Sequence, residues 1–251
     1  MEKSTIQSDQ IIEICLLAGK LLLQNGAETY RVEDTMIRMA FAFELRRSQS
    51  FVIPTGIIFS IDGVEATRLI RITERFTDLQ KVALVNNISR QISEGGLTAE
   101  EALSRLKEVE SANYSYPIWL QITSAALASG CFLIMFLGSW GDFIPAVIAG
   151  GLGYSSVLYF HRLAEIKFFA EFLASFLIGI VSYLFVFSGI GSELDKIIIG
   201  SVMPLVPGLL ITNAVRDLMA GHLIAGLAKG AEAFLTAFAI GTGIAIVFSI
   251  L

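Results

Sequence analysis

Histidine, cysteine and charge are all scarce in this chain. Its 251 residues include two histidines, two cysteines and only 16% charged side chains. Residues 1–116 contain no histidine and no serine in a nucleophile-elbow setting, which removes the usual hydrolase chemistry from that half. Cys15 and Cys131 stand far apart in apolar surroundings, outside any metal-ligand spacing, and read as buried inert thiols that need no oxidising compartment. No basic run is present, and a net charge of −5 with a pI near 5.1 excludes nucleic acid as a partner. Gly19, Gly26, Gly56 and Gly63 are too dispersed for a phosphate loop, and the acidic residues form no metal constellation, so no cofactor or metal is expected. The polar start, Met1 to Gln10, argues against a cleavable signal peptide.

What is abundant is apolar: 54% of residues, with a mean hydropathy of +0.69, against about 25% charged residues in ordinary soluble domains. The charge that exists is unevenly placed, with 29 charged residues in 1–116 and 12 in 117–251, while glycine runs the other way, 6 against 16. The second half breaks into five uncharged or nearly uncharged runs, about 118–138, 143–160, 166–188, 197–217 and 226–251. Each suits a hydrocarbon core of roughly 30 Å crossed at 1.5 Å per residue. The expected fold is a polytopic α-helical membrane protein with five transmembrane helices (117–251) and an N-terminal cytoplasmic α+β domain (1–116). Thirteen Lys/Arg in the first half, with Arg162, Lys167, Arg216 and Lys229 near the second and fourth loops, place that domain inside and the C-terminus outside.

Within 1–116 the patterns predict a helix over Ile11–Leu23 stopped at Asn25-Gly26, and a second from about Glu28 to Arg46. Strands follow at Ser50–Ile53, Gly56–Ile61 and Thr67–Ile72, with Asp62-Gly63 as a turn. Asp78–Ser93 returns to helical spacing, and Thr98 with Glu101 forms a capping box for a last helix.

Polarity inside a membrane is costly and tends to be functional. Met203-Pro204-Leu205-Val206-Pro207-Gly208 removes two backbone donors within one helix and is built to break it, and transporters use broken helices to hold substrate and ions. Beyond the break, Thr212 and Arg216 share one face and Asn213 and Asp217 another. Glu171, one turn inside the third span, could snorkel to the inner surface. Lys229 and Glu232 could pair at the inner end of the fifth. Gln121, Thr123 and Ser124 could bond a neighbouring helix. Gly150, Gly151, Gly153, Gly226 and Gly230 permit close helix contact. The segment Gly26, Glu28, Thr29, Arg31, Glu33 is the densest polar feature of the first half. It reads either as a turn and helix start with Glu28 at the dipole, or as a gate docking against Arg216/Asp217.

The stretch Leu17–Glu33 (LAGKLLLQNGAETYRVE) with Pro54-Thr55-Gly56, and Gly200–Gly226 (GSVMPLVPGLLITNAVRDLMAGHLIAG), resembles the threonine/serine exporter family over nearly the whole chain. The resemblance is to the larger half of that family's split form. It implies a separately encoded small membrane protein supplying a second transmembrane half, with a higher oligomer left open, in the plasma (inner) membrane. It also implies proton-motive export of small polar metabolites, threonine/serine or a dicarboxylate such as succinate. Pro204, Pro207, Gly208, Asn213, Arg216 and Asp217 match the membrane motif, and Gly26, Glu28, Thr29, Arg31 and Glu33 the N-terminal one. The roles inferred with it give Thr212 and Asn213 to the substrate, Arg216 to a carboxylate, and Asp217 or Glu232 to the proton. The competing reading is a membrane-anchored enzyme or signalling protein whose N-terminal domain carries the activity.

Overall fold

The computed structural model describes residues 2–62, 67–164 and 167–250, and side chains at 9–62, 67–163 and 168–250. The turn expected at Gly63 and the start of the third span at Ile166 lie outside the described residues. The chain divides into two compact units. One comprises Met1–Ser115 with Leu209–Gly230, the other Tyr116–Gly208 with Ala231–Leu251. A boundary at 116 alone would leave Leu209–Gly230 with the membrane half. Its contacts group it with the first.

The first unit opens on α1 (Glu2–Gln24) and α2 (Thr29–Ala42). A three-stranded antiparallel meander follows, β1 (Ser48–Ile53), β2 (Gly56–Ile61) and β3 (Arg68–Arg71), then α3 (Leu79–Ser93) and α4 (Ala99–Ser111). Helix α1 buries Ile11, Ile12, Ile14, Cys15, Leu16, Ala18, Leu21 and Leu22. A helix apolar on nearly every side is a central one. Burial pushes the Cys15 thiol up to about 12, so it stays an inert packing group. A Cβ on Gly19 would stand 2.4 Å from the Met36 sulfur, so α1 and α2 approach as closely as glycine permits. The sheet pairs Val52 with Ile57 and turns its Val52, Ile57, Phe59 and Ile61 face inward. Asp78 caps α3 through the Gln80 and Lys81 N–H groups. Thr98 and Glu101 form the expected capping box of α4. The second helix is shorter than its pattern suggests because Glu44 takes a positive φ of 66° and ends it before Arg46.

The second unit contains α5 (Ile118–Met135), α6 (Phe143–Ala164), α7 (Lys167–Phe187), α8 (Leu194–Val202) and the part of α10 (Leu223–Ile250) from Ala231 onward. Among the described residues four helices are long and apolar enough to cross a membrane. A bent pair, Leu194–Leu205 and Gly208–Met219, makes up to five. The break falls where the prolines predict it. A 3₁₀ turn over Met203–Leu205 follows α8, Val206 is extended at ψ 129°, and α9 (Gly208–Met219) begins after Pro207. The fifth span is one helix from Leu223, so His222 ends a turn rather than joining a separate one.

Small residues set this unit's packing, as helices without a hydrophobic drive between them require. A Cβ on Gly150 would fall 2.0 Å from Ser129 Oγ, and one on Gly153 2.3 Å from Ile178. On Gly200 it would fall 2.9 Å from the Leu133 nitrogen. Gly230, by contrast, has only an ordinary 4.0 Å neighbour. The Tyr154 hydroxyl donates to Gln121 Oε1 at 3.2 Å, so Gln121 does bond across helices. Cys131 is exposed on α5, which corrects its reading as a buried thiol: it sits on a helix face with no protein over it.

Asp142 is fully buried and was not singled out by its sequence setting. Its carboxylate accepts from Ser192 N–H (2.7 Å), Ser192 Oγ (2.9 Å), Ser139 Oγ (3.0 Å) and Glu193 N–H (3.2 Å), pinning the segment that enters α8. An amide has one acceptor oxygen in place of two, so Asp142→Asn leaves a backbone donor unmet. The expected cost is about 1–3 kcal/mol, read as a lower thermal midpoint in detergent.

Candidate functional site

The two motif segments meet inside the first unit, and the meeting starts with how α1 stops. Asn25 Nδ2 donates to the Leu21 carbonyl at 2.7 Å, Ala27 N–H to the Leu22 carbonyl at 3.0 Å, and Gly26 takes φ +95°. Only glycine enters that region without strain, so the helix turns sharply there. A bonded turn leaves the Gly26 carbonyl outward, where Asn213 Nδ2 donates to it at 2.8 Å.

Helix α2 then begins with an unusual cap. Its N-cap residue, Glu28, makes no side-chain cap bond. The first N–H groups of a helix need an acceptor and carry the positive end of its dipole. Here Asp217, 188 residues along the chain, supplies it: Oδ1 accepts from Thr29 N–H at 2.9 Å and Tyr30 N–H at 3.4 Å. Oδ2 accepts from Lys229 Nζ at 2.8 Å. The ammonium also donates to Thr29 Oγ1 at 2.9 Å and the Ala27 carbonyl at 3.4 Å. Asp217 is 0% and Lys229 5% exposed. A buried pair is stable only when its remaining donors and acceptors are met, and here they are.

Glu28, released from capping, takes Arg216 Nη1 on Oε1 at 2.5 Å, with Arg31 Nη1 at 3.5 Å from Oε2. Burial pushes its carboxyl up. Its own backbone hydrogen bond and the Arg216 and Arg31 guanidinium groups outweigh that, so it titrates below the ordinary 4.5. The resulting stabilisation is complete above pH 4.5 and is lost as pH falls through the lowered value. Glu33 has the opposite sign. Burial is the main cause that raises it, with the Asp217 charge adding, against the Val52 N–H it accepts at 2.7 Å and His222. It therefore becomes more stabilising on acidification. Removing only the first contribution, Glu28→Gln is expected to lose less stability than the native protein below pH 4.5, as a thermal-midpoint titration would read.

The structure gathers Gly26, Glu28, Thr29, Arg31, Glu33, Asn213, Arg216, Asp217 and Lys229 around one point. It does not gather the rest. Pro204, Pro207 and Gly208 form the break, Thr212 is on the exposed side of α9, and Glu171 and Glu232 belong to the second unit. Three expectations change. Lys229 gives its donors to Asp217, Thr29 and Ala27, not to Glu232, because α9 and α10 fold back as a hairpin around Gly221. Arg216 holds Glu28, with 55% of its side chain exposed, where a substrate carboxylate was expected. Glu171 is 6% exposed and does not snorkel. The start of α2 does meet Arg216 and Asp217, but through Glu28 and the Thr29 and Tyr30 N–H groups, while Arg31 pairs with Glu28 and Glu33 accepts from Val52 N–H. Sequence reasoning missed the Asp217–Lys229 pair, for which the only available signal was two opposite charges inside an otherwise uncharged stretch.

The chain is similar to known proteins over nearly its whole length. The family model described as "Putative threonine/serine exporter" matches residues 13–251. A Klebsiella aerogenes protein named "Probable succinate transporter subunit YjjP" is 27% identical, covering 97% of this chain and 95% of that protein. Its Escherichia coli namesake is 25% identical over 98% and 96%. A Mycobacterium tuberculosis "Probable threonine/serine exporter" is 21% identical over 92% of this chain but only 45% of its own length. No solved structure matches. With four to five candidate spans and a near-complete family match, the chain belongs to the ThrE threonine/serine exporter family and is an integral membrane transporter, not an enzyme.

Proposed function

We propose that this protein is one subunit of a proton-motive-force-driven exporter of small carboxylates, threonine/serine or a dicarboxylate such as succinate. It would work with a separate small membrane protein that supplies the second transmembrane half. The observation that carries this reading is the buried Asp217–Lys229 pair closed over by the start of α2. Opening that cluster means parting Lys229 from Asp217 Oδ2, and two events can do it. A proton on Asp217 removes the charge that holds the ammonium. A substrate carboxylate on Lys229 replaces it, with Asp217 Oδ1 still held by the α2 N–H groups. An opening that either the proton or the substrate can trigger, and an empty carrier cannot, is the rule an exchanger needs.

The relatives named as transporter subunits support a multi-component assembly. The basic residues of the first half and of the second and fourth loops support a cytoplasmic first unit, with Gly26, Glu28, Thr29, Arg31 and Glu33 acting as its gate. Both candidate substrate classes present a carboxylate, so Lys229 serves either, and the subunit names favour testing succinate first. The test is counterflow in proteoliposomes holding this chain and its partner. Labelled succinate or threonine should enter against an unlabelled internal pool, and only with both proteins present. Absence of counterflow for both substrates overturns the reading.

A further inference from the structure

Helix α2 is held to the α9–α10 hairpin at two points one turn apart. At the first, the Thr29 and Tyr30 N–H groups are closed by Asp217. At the second, Glu33 Oε1 lies 3.8 Å from His222 Nδ1, the spacing of an ion pair rather than a hydrogen bond. His222 is built into the turn of the hairpin. Its N–H donates to the Asp217 carbonyl at 2.9 Å, its carbonyl accepts from Gly226 N–H at 2.9 Å, and Gly221 before it takes φ +86°. The imidazole therefore moves with the residue that carries the gate carboxylate and with the first turn of α10. Glu33 is tied on its other side, because the same Oε1 accepts from Val52 N–H at 2.7 Å and joins α2 to β1.

The two points differ in access to water. The Asp217 side chain is 0% exposed, whereas His222 is 24% and Glu33 18% exposed. A proton from solvent reaches the second point with the cluster closed, and the first only by opening it. Histidine is the side chain that changes charge between about pH 5 and 8.

The surrounding charges leave His222 a defined task. On α2, Asp34 and Arg38 pair with each other, and Glu28 takes Arg31 together with Arg216 of α9. Lys229 of α10 gives its charge to Asp217, and β1 brings no charged side chain. The charges that act on Glu33 are those of Asp217, which opposes its ionisation, and His222, which favours it. Closing the gate thus brings two carboxylates together, and an imidazolium beside Glu33 offsets their repulsion.

We infer that His222 and Glu33 form a proton-operated latch on the gate: an imidazolium beside Glu33 holds the α9–α10 hairpin against α2, and loss of that proton frees it. This rests on the exporter reading and adds the regulation of its gate, so that exchange slows when the side this unit faces turns acidic. His222 is a positioning residue, acting on the Asp217–Lys229 pair through the turn that carries it. Glu33 bounds the window from below. Burial foremost raises its carboxyl above the ordinary 4.5, and once it takes up a proton there the ion pair is lost.

The test is a pH profile of counterflow, using the full chain with its partner in proteoliposomes at equal pH on both faces. The native protein should slow about threefold between about pH 8 and pH 6, the scale of a partly exposed ion pair. His222→Gln should match the native rate at the alkaline end, where histidine is neutral, and stay flat. His222→Lys, charged throughout, should stay at the slow level. Glu33→Gln, whose amide oxygen still accepts from Val52 N–H, should also remove the dependence, and adding His222→Gln to it should change nothing more. A flat native profile, a rate that rises on acidification, or a dependence that survives His222→Gln overturns the latch. A uniform loss of rate in His222→Gln at every pH overturns it too and makes His222 a packing residue. Absence of native counterflow at every pH strikes the exporter reading instead. Amide protection of Thr29 and Tyr30 in detergent, corrected for intrinsic exchange, then decides the latch by itself: it should rise on acidification in the native protein and not in His222→Gln, and equal behaviour of the two overturns it.

Discussion

Lys229→Met is expected to be the most damaging single substitution in the first unit. It leaves the Asp217 carboxylate buried with only the two α2 N–H groups, and removing one partner of a buried pair costs about 3–5 kcal/mol. The thermal midpoint of the detergent-solubilised protein should fall sharply, and counterflow should fall below detection. Asp217→Asn is expected to cost less, because an amide oxygen still accepts from Thr29 and Tyr30 and no carboxylate remains to be neutralised. Lys229 is nonetheless left as a buried cation bonded only to Thr29 Oγ1 and the Ala27 carbonyl. Lys229→Met combined with Asp217→Asn should therefore recover a large part of the stability lost by Lys229→Met alone. It should not recover transport if the charge pair is the gate. Recovery of both would reduce the pair to a structural staple, and additive losses would show that the two side chains do not interact.

Gly243→Leu is expected to have the largest effect in the second unit. Even a single added carbon would fall 2.5 Å from the Phe172 carbonyl and 3.0 Å from the Phe176 nitrogen, both backbone atoms that no rotamer change can move. Helices α7 and α10 must separate, at about 2–3 kcal/mol or more. Ser175→Ala should not rescue it, because the backbone contacts remain. Gly150→Ala offers a contrast. Its added carbon would meet mainly the Ser129 side chain, at 2.0 Å from Oγ and 2.5 Å from Cβ, with the Ser201 carbonyl at a tolerable 3.4 Å. Ser129→Gly should relieve most of that loss. Thermal midpoints of the two pairs of variants check the distinction between a backbone clash and a side-chain clash.

Much of the fold was legible in the sequence because it depends on local physics. Two prolines three residues apart cannot continue a helix, and the chain breaks at Val206-Pro207 as they require. Asn25-Gly26 stops α1, Thr98 and Glu101 box the start of α4, and the strand positions follow from alternation and turn residues. The site was legible as a set of residues but not as a set of partners. Glu28 looked like the residue that answers the α2 dipole, and it instead holds Arg216, while Asp217 caps the helix from 188 residues away. Lys229 stood three residues from Glu232 and pairs with Asp217 twelve residues away.

The sequence by itself determined that apolar runs of spanning length follow a charged first half, where helices start and stop, and which polar residues interrupt the spans. Those properties are set by hydropathy, by φ restrictions and by hydrogen bonds a few residues apart. Only the tertiary structure decided that Leu209–Gly230 packs with the charged half, and that one aspartate closes both a lysine and a helix terminus. It also decided that Glu171 turns into the protein rather than toward its surface. Charge placement along a chain constrains which side chains must find partners. Which partners they find depends on loop closure and packing between distant segments, and that information is not local.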